Sequence, residues 1–248
     1  MAARKARKKT PRGPAASDRV RHEWRRRIEA EYRSAAITQN LVLWLIQIAA
    51  SPDLILDGLR IVKDELKHAE LSHITYLAAG GDVPPPIVRE TLALRRTADP
   101  LEHDVLRTAV ETFCLGETVA VRLFSKLREK CEAPSARRAL DRILRDEVRH
   151  RDFGWSLLEW LSETPYWPEL QKRVEAELPK MFVRLRAAYA PAAGRNEEEI
   201  SSADRAWGLM PTAHYARALE RTLADDYVPR FQKRGIDAKK AWHGKAVT

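Results

Sequence analysis

Two short stretches of the chain, 63-KDELKHAE-70 and 145-RDEVRHRD-152, decide its fold. Aligned, they read basic, Asp, Glu, aliphatic, basic, His, any residue, acid, so seven of the eight positions match in type. Each stretch contains Glu-x-x-His, which on a helix places a carboxylate and an imidazole on one face because positions i and i+3 are neighbours there. One such motif arises easily by chance, whereas the matched pair indicates an internal repeat of a helical unit.

The apolar residues around these motifs recur at helical spacing and predict an all-α chain. We predict helices near 20–50, 52–78, 100–130 and 136–161, the second capped by Ser51 or Asp53. Short turns join the first two and the next two helices, while about 22 residues separate the second from the third. Two hairpins joined by one long crossover are typical of a ferritin-like four-helix bundle. Additional C-terminal helices are predicted near 168–189 and 211–230, on either side of the polar segment GRNEEEISSADR.

Each helix that precedes a motif helix supplies one glutamate on its apolar face. In the first helix Glu31 lies on the apolar stripe, whereas Glu29 shares its face with arginines. In the third helix Glu117 lies on the apolar stripe, whereas Glu111 falls off it. We therefore predict that Glu31 and Glu117 point inward, at the level of the two motifs.

A second Glu-x-x-His in the second helix, Glu70 with His73, offers an alternative pair. Its offset of five residues rotates it by about 140° away from Glu65 and His68. In the repeat Glu70 aligns with Asp152, which lies outside the motif. We predict that Glu70 and His73 face solvent.

Four carboxylates inside an apolar bundle are costly unless a metal neutralises them. Two Fe²⁺ or Mn²⁺ ions balance the four negative charges, and two neutral imidazoles complete the set. One Glu from each of two helices plus Glu-x-x-His from each of two others is the ligand pattern of dinuclear carboxylate sites. The predicted metal ligands are Glu31, Glu65, His68, Glu117, Glu147 and His150. The alternative is a bundle with charged residues at its edges and with hydrogen-bonded core histidines.

These residues resemble the ferritin-like di-iron carboxylate superfamily. The doubled form Glu-x(28–37)-Asp-Glu-x-x-His is similar to that of the di-iron N-oxygenases that act on aryl amines. Here 32 residues separate Glu31 from Asp64, and 28 separate Glu117 from Asp146. Those enzymes have a further histidine ligand four positions before the second motif's glutamate, where this chain has Ile143. This departure favours hydroxylation or a related oxidation over aryl-amine N-oxygenation.

The resemblance covers residues 20–161 and implies an oxidoreductase in which two iron ions, or manganese, activate O₂. Such an enzyme takes electrons from an external donor and oxidises a small organic substrate. Asp64 and Asp146 are expected to accept the ring N–H groups of the metal-bound histidines, as they do in the resembling families. The alternative is that they are solvated acids beside Lys67 or Arg149.

Two further functions fit the same ligand set. One is iron or peroxide handling, as in ferritins and rubrerythrins, and the other is hydroxylation of RNA. An oxygenase needs a substrate pocket, and we expect the C-terminal helices to cover it. The predicted pocket walls are Trp24, Thr38, Phe113, Cys114 and Val121, with plain core packing as the alternative.

The net charge of +9 belongs to the N-terminus, because residues 1–27 hold eleven basic and two acidic side chains and the other 221 residues are neutral. We predict a disordered basic arm over 1–18, a helical domain over 19–235 and a flexible tail over 236–248. The arm is either a weak attachment to nucleic acid or a solubilising tail.

The sequence also indicates where the protein works. Its longest apolar run, residues 41–50, is far shorter than the roughly 20 residues that cross a bilayer. Cys114 and Cys131 form no CxxC pair, which predicts neither a disulfide framework nor a rubredoxin-type iron centre. We expect a cytoplasmic protein without a membrane anchor. The sequence is also compatible with an oligomer.

Overall fold

The structure is a computed structural model that describes residues 14–190 and 200–244. Within these ranges all regular secondary structure is helical, which confirms the predicted all-α class. The longer helices are α1 (Asp18–Gln47), α2 (Pro52–Ala78), α3 (Leu101–Thr108, Ala109–Glu117 and Thr118–Glu129 in succession), α4 (Pro134–Ser162), α5 (Trp167–Tyr189) and α7 (Thr212–Thr222, Leu223–Tyr227 and Val228–Gln232 in succession). The short helices are α6 (Ser202–Ala206), α8 (Ala238–His243) and a 3₁₀ turn at Arg89–Thr91.

Side-chain caps fix where the first two helices begin. The hydroxyl of Ser17 accepts the backbone N–H of Val20, and the hydroxyl of Ser51 accepts that of Leu54. Each satisfies one of the free N–H groups at a helix start. Of the two predicted caps of α2, Ser51 is therefore the one in place. The short turn between the helices lets α1 pack along the length of α2.

The middle of α3 is a π-helix, Ala109–Glu117, where the sequence predicted an uninterrupted α-helix. Helix α4 packs closely against this segment through Gly154. A Cβ atom at that position would lie 2.5 Å from the Cβ of Phe113 and 2.8 Å from its carbonyl carbon. Only glycine therefore permits the close approach of α4 to the π segment, which ends at the predicted ligand Glu117.

The C-terminal helices pack against α3 and α5. The predicted flexible tail over 236–248 is wrong for residues 236–244, because Ile236 and Trp242 are buried. Trp242 packs edge-on against Phe182, with ring centroids 5.0 Å apart. The guanidinium of Arg186 stacks 4.4 Å from the centre of the Trp242 ring. Apolar burial thus anchors α8 on α5, while residues 245–248 lie outside the described part.

The predicted basic arm lies mostly outside the described residues, which begin at 14. Residues 14–18, at the end of the predicted arm, contact the helical domain. The arm is therefore shorter than predicted. Trp207 donates its ring N–H to the carbonyl of Pro14 at 2.8 Å, and Ser17 donates to the Asp204 carboxylate at 2.6 Å. Asp204 lies in α6, within the segment that the sequence predicted to be a polar loop, and Trp207 directly follows this helix. Among the described helices, none has the length and apolarity needed to cross a membrane.

Candidate metal centre

The structure brings all six predicted ligands together between α1, α2, α3 and α4. They form two overlapping groups, and within each group the candidate ligand atoms lie within 4.8 Å of one another. One group is Glu31, Glu65, His68 and Glu147, and the other is Glu65, Glu117, Glu147 and His150. The members are buried, except that Glu117 is half-buried. Glu65 and Glu147 belong to both groups, which is the position of a carboxylate that bridges two cations.

The two histidines turn the same ring nitrogen inward. Nδ1 of His68 lies 3.7 Å from a Glu31 oxygen and 3.6 Å from a Glu65 oxygen. Nδ1 of His150 lies 3.2 Å from the other Glu65 oxygen and 3.7 Å from a Glu147 oxygen. Carboxylate oxygens and imidazole nitrogens at one point are the donors that Fe²⁺, Mn²⁺ and Zn²⁺ accept.

Several of the inward atoms are buried without any hydrogen-bond partner. They are Nδ1 of His68, Nδ1 of His150, Oε2 of Glu65 and Oε2 of Glu147. An unsatisfied buried polar atom costs about 1–3 kcal/mol, so folded proteins seldom leave several at one place. A cation at the centre of the cluster would satisfy all four atoms. The residues therefore fit a metal ion.

The outer nitrogens of the histidines meet aspartates of the opposite motif helix. Nε2 of His68 in α2 lies 3.1 Å from Oδ2 of Asp146 in α4. Nε2 of His150 in α4 lies 3.6 Å from Oδ2 of Asp64 in α2. The first distance is that of a hydrogen bond, as predicted for Asp146. The second is too long for one, and Nε2 of His150 has no hydrogen-bond partner, so the bond predicted for Asp64 is not formed.

Two arginines of α4 hold both aspartates, and the sequence analysis did not assign them this role. Arg142 and Arg149 each donate to Asp64 at 2.8 Å. Arg149 also donates to Asp146 at 2.8 Å, and Arg142 bonds the other oxygen of Asp146. The alternative of solvated acids beside Lys67 or Arg149 is therefore wrong in one respect, because Asp64 and Asp146 are buried although Arg149 contacts both. Within α4, Arg142 and Arg149 lie four and three residues from Asp146, and this spacing could have predicted their contacts with it. Their contacts with Asp64 depend on how α2 and α4 cross, which the spacing does not show.

Burial and charge redistribute protons within the cluster. Burial raises the pKa of Glu31 to about 7. Burial and the nearby charge of Glu147 raise the pKa of Glu117. Burial alone would lower the pKa of His68, but contacts with Asp146 and Glu31 outweigh it and raise that pKa to about 12. The metal-free cluster therefore holds protons that a metal ion must displace.

Replacing Asp146 with asparagine is expected to weaken metal binding by roughly 10–100-fold, the usual effect of losing a group that supports a ligating histidine. A neutral amide neither fixes the ring of His68 as firmly nor pairs with Arg142. Asp141→Asn is the matched control, because Asp141 is an exposed acid of α4 that pairs with arginines. The affinity is measured by anaerobic competition with a chromophoric chelator, and equal affinities for the two variants would contradict the role of Asp146.

The alternative Glu-x-x-His pair lies outside the cluster, on the side that the sequence predicted. Glu70 is exposed, and its carboxylate accepts a hydrogen bond of 2.7 Å from the Lys67 ammonium. His73 is half-buried. Neither residue belongs to the two groups of possible metal ligands.

The predicted pocket walls make core contacts. Trp24 donates its ring N–H to the carbonyl of Trp207 at 3.0 Å, and the thiol of Cys114 donates to the carbonyl of Gly154. Phe113 packs edge-on against Phe153 with centroids 5.0 Å apart, Thr38 is buried, and Val121 is half-buried. These are the contacts of a packed interior. A role for the five residues in lining a substrate pocket stays a prediction.

A tyrosine that the sequence analysis did not single out lies beside the cluster. Burial raises the pKa of Tyr189, and the nearby charges of Glu117, Glu147 and Glu31 raise it further. Tyr189 is the last residue of α5, a helix from the C-terminal part of the chain. The C-terminal part of the chain thus contributes a tyrosine near the carboxylates of the cluster.

No protein-family model, curated protein or solved structure matches this chain. The metal-binding capacity of the cluster does not by itself identify a family.

Proposed function

We propose that the protein is a dinuclear-iron oxidoreductase that activates O₂ and oxidises a small organic molecule, with electrons from an external donor. Manganese is the alternative metal. In this proposal α1–α4 form a ferritin-like four-helix bundle around the metal centre, and the C-terminal helices cover one end. The observation that carries the proposal is the pair of ligand groups that share Glu65 and Glu147.

Charge and ligand count support two ions in place of one. Four carboxylates carry a charge of −4 that one divalent cation neutralises only by half, while two neutralise it completely. Each group also has its own inward histidine nitrogen and its own terminal glutamate. Glu65 and Glu147 belong to both groups and would hold both ions, as carboxylates do in dinuclear carboxylate bundles.

The donor set supports iron or manganese. It consists of carboxylate oxygens and imidazole nitrogens, which suit both metals. Both cysteines lie outside the two groups of possible metal ligands. Six protein ligands do not saturate two ions that each accept five or six, so positions stay open for small molecules, as catalytic sites require. When bound, iron supplies one-electron and O₂ chemistry that side chains lack.

The residues of the chain perform the remaining tasks. Asp146 accepts the Nε2–H of His68 and so keeps Nδ1 free to bind metal. The buried rings of Phe113 and Trp24 exclude water from the interior. At position 143 a buried isoleucine stands where a seventh metal ligand would be needed for the N-oxygenase pattern. This favours hydroxylation or a related oxidation.

A single-turnover experiment tests the proposal. Protein loaded anaerobically with two Fe²⁺ per chain is mixed with ¹⁸O₂ and candidate small molecules, and O₂ consumption and labelled products are measured. We expect about one O₂ to be consumed per pair of iron ions, with ¹⁸O in a product. A protein without a metal-dependent O₂ reaction would contradict the proposal.

Iron or peroxide handling is the second candidate, and the packed contacts of the predicted pocket walls favour it. Excess Fe²⁺ distinguishes the two. A storage protein oxidises many Fe²⁺ ions per chain in proportion to the iron added, and no organic molecule alters the rate. An oxygenase stops after the bound pair unless reductant is supplied.

A further inference from the structure

The outer face of α2 carries an apolar stripe that the single chain leaves exposed. Five large apolar residues on this helix are 43–53% exposed, and they are Leu56, Leu59, Leu66, Ile74 and Leu77. The charged residues Lys63 and Glu70 lie between them and are also exposed. At 100° per residue, all seven positions fall within about 80° of the helix circumference. Steps of three and four residues on one face are the spacing of a helix that packs against another helix.

This stripe lies opposite the metal centre. Glu65 and His68 of the same helix are buried and point to the interior. The core does not require the exposed leucines, and large exposed apolar surfaces on folded proteins mark interaction sites. Helix α1 adds Tyr32, Leu43 and Ile46, which are 39–54% exposed. The exposed apolar surface is thus a property of the α1–α2 hairpin.

Six of the seven stripe residues form three complementary pairs about a midpoint between Leu66 and Lys67. The seventh, Leu66, corresponds to Lys67, which lies outside the stripe. Leu56 corresponds to Leu77, and Leu59 corresponds to Ile74. Lys63 corresponds to Glu70, so the only charged pair in the stripe is of opposite sign.

We infer that this face binds a second copy of the chain, with the two α2 helices antiparallel across a twofold axis near Leu66. In an antiparallel pair with this centre, Leu56 faces Leu77 and Leu59 faces Ile74 of the other copy, so apolar residues meet at both ends of the stripe. Lys63 of each copy meets Glu70 of the other, and the central Leu66 faces Lys67. A twofold axis uses the same patch on both copies, which is how most homodimers associate. The self-complementary charge pattern is the reason for choosing a second copy over another partner.

The surface beside the stripe leaves room for this register. A groove of about 390 Å³ lies next to the centre of the stripe, lined by Lys63, Asp64, Leu66, Lys67, Glu70 and Arg142. In the single chain Glu70 pairs with Lys67 at 2.7 Å, so Lys63 of the second copy competes with Lys67 for Glu70. Leu66 of the second copy faces Lys67 and thus enters this groove. The inference does not rest on the proposed enzymatic function, because none of the seven stripe residues is a predicted metal ligand.

Charge reversal tests both the dimer and its register. Sedimentation velocity of the full chain at about 10–50 μM is expected to show a dimer. Lys63→Glu places two glutamates opposite each other at two symmetric points, and Glu70→Lys does the same with lysines. Each is expected to raise the dimer Kd at least about tenfold, since like charges facing each other oppose association. The double variant restores opposite charges and is expected to return within about threefold of the original Kd.

The matched control is the double variant Lys126→Glu with Glu129→Lys, which reverses an exposed i,i+3 pair on α3. Its dimer Kd is expected to be unchanged. Circular dichroism of every variant establishes that it is folded. A monomeric chain, or single reversals that leave the Kd unchanged, would overturn the inference.

A disulfide gives a second measurement of the register. Positions 63 and 70 of one chain are about 10.5 Å apart along α2, too far for a disulfide within the chain. Lys63→Cys with Glu70→Cys is therefore expected to form a covalent dimer under mild oxidation, while either single variant does not. The native cysteines Cys114 and Cys131 are buried and do not interfere. Efficient cross-linking of a single variant would indicate a different pairing and overturn the antiparallel register.

Discussion

Replacing Glu147 with alanine is expected to reduce the bound metal from about two ions per chain to fewer than one. Glu147 belongs to both ligand groups, so its loss removes a ligand from each. His150→Ala is expected to leave about one ion, because His150 belongs only to the group that contains Glu117. Metal content is measured by inductively coupled plasma mass spectrometry after anaerobic loading with Fe²⁺ and desalting.

The second Glu-x-x-His provides the matched control for this experiment. Glu70→Ala and His73→Ala make the same substitutions on α2, at residues that lie outside both groups. We expect both variants to keep the full metal content. A content of two ions in both Glu147→Ala and His150→Ala would show that the ligand assignment is wrong. A clear loss in Glu70→Ala would show that metal binds on the other face.

The convergence of the six ligands was predictable because two helical rules sufficed. The i,i+3 rule places Glu65 beside His68, and the same rule places Glu147 beside His150. The apolar stripe of each neighbouring helix selects one inward glutamate. These rules act within single helices and need no knowledge of how the helices cross.

The contacts that hold the histidine ligands in place were harder to predict, because they depend on how α2 and α4 cross. Arg142 and Arg149 reach Asp64 on another helix, and no spacing within α4 encodes this contact. The crosswise pairing of His68 with Asp146 likewise requires the axial offset between α2 and α4. Long charged side chains choose partners from whatever lies near, so their roles appear only in three dimensions.

The π segment and the short helices escaped prediction for different reasons. A π turn differs from an α turn by one hydrogen-bond register, and the local sequence of Ala109–Glu117 does not distinguish them. Close packing of Gly154 against this segment is a tertiary contact. Helices α6 and α8 have five and six residues, fewer than the window in which helical periodicity can be recognised. Burial of Trp207 and Trp242, not periodicity, fixes them.

If Glu31 is a metal ligand, its replacement is expected to change protein stability in opposite directions with and without metal. In metal-free protein Glu31→Leu is expected to raise the melting temperature by several degrees, and in metal-loaded protein it is expected to lower it. Without metal, Glu31 is a buried carboxyl whose pKa is raised from 4.5 to about 7. Ionising it in the folded state therefore costs on the order of 3 kcal/mol at pH 8. A leucine of similar size removes this cost.

The pH dependence follows from the direction of the pKa shift. Because the folded pKa lies above the unfolded value, the folded state binds more protons between them, and metal-free stability falls as pH rises from about 4.5 to about 7. The advantage of Glu31→Leu is thus expected to be small at pH 4 and complete at pH 8. Thermal unfolding followed by circular dichroism in the presence of a chelator measures it.

With metal the same substitution removes a ligand. At a free metal concentration about 1,000 times the Kd, one bound ion stabilises the folded state by roughly 4 kcal/mol, or about 10 °C for a chain of this size. Glu31→Leu forfeits much of this gain in the group that contains His68. The control is Glu29→Leu, two residues away on the same helix, where Glu29 pairs with Arg33 on the surface. That variant is expected to change stability by less than about 1 kcal/mol with or without metal. If Glu31→Leu destabilised the metal-free protein, or kept the full metal-induced gain, Glu31 would be a structural acid and the metal centre would need a different fourth carboxylate.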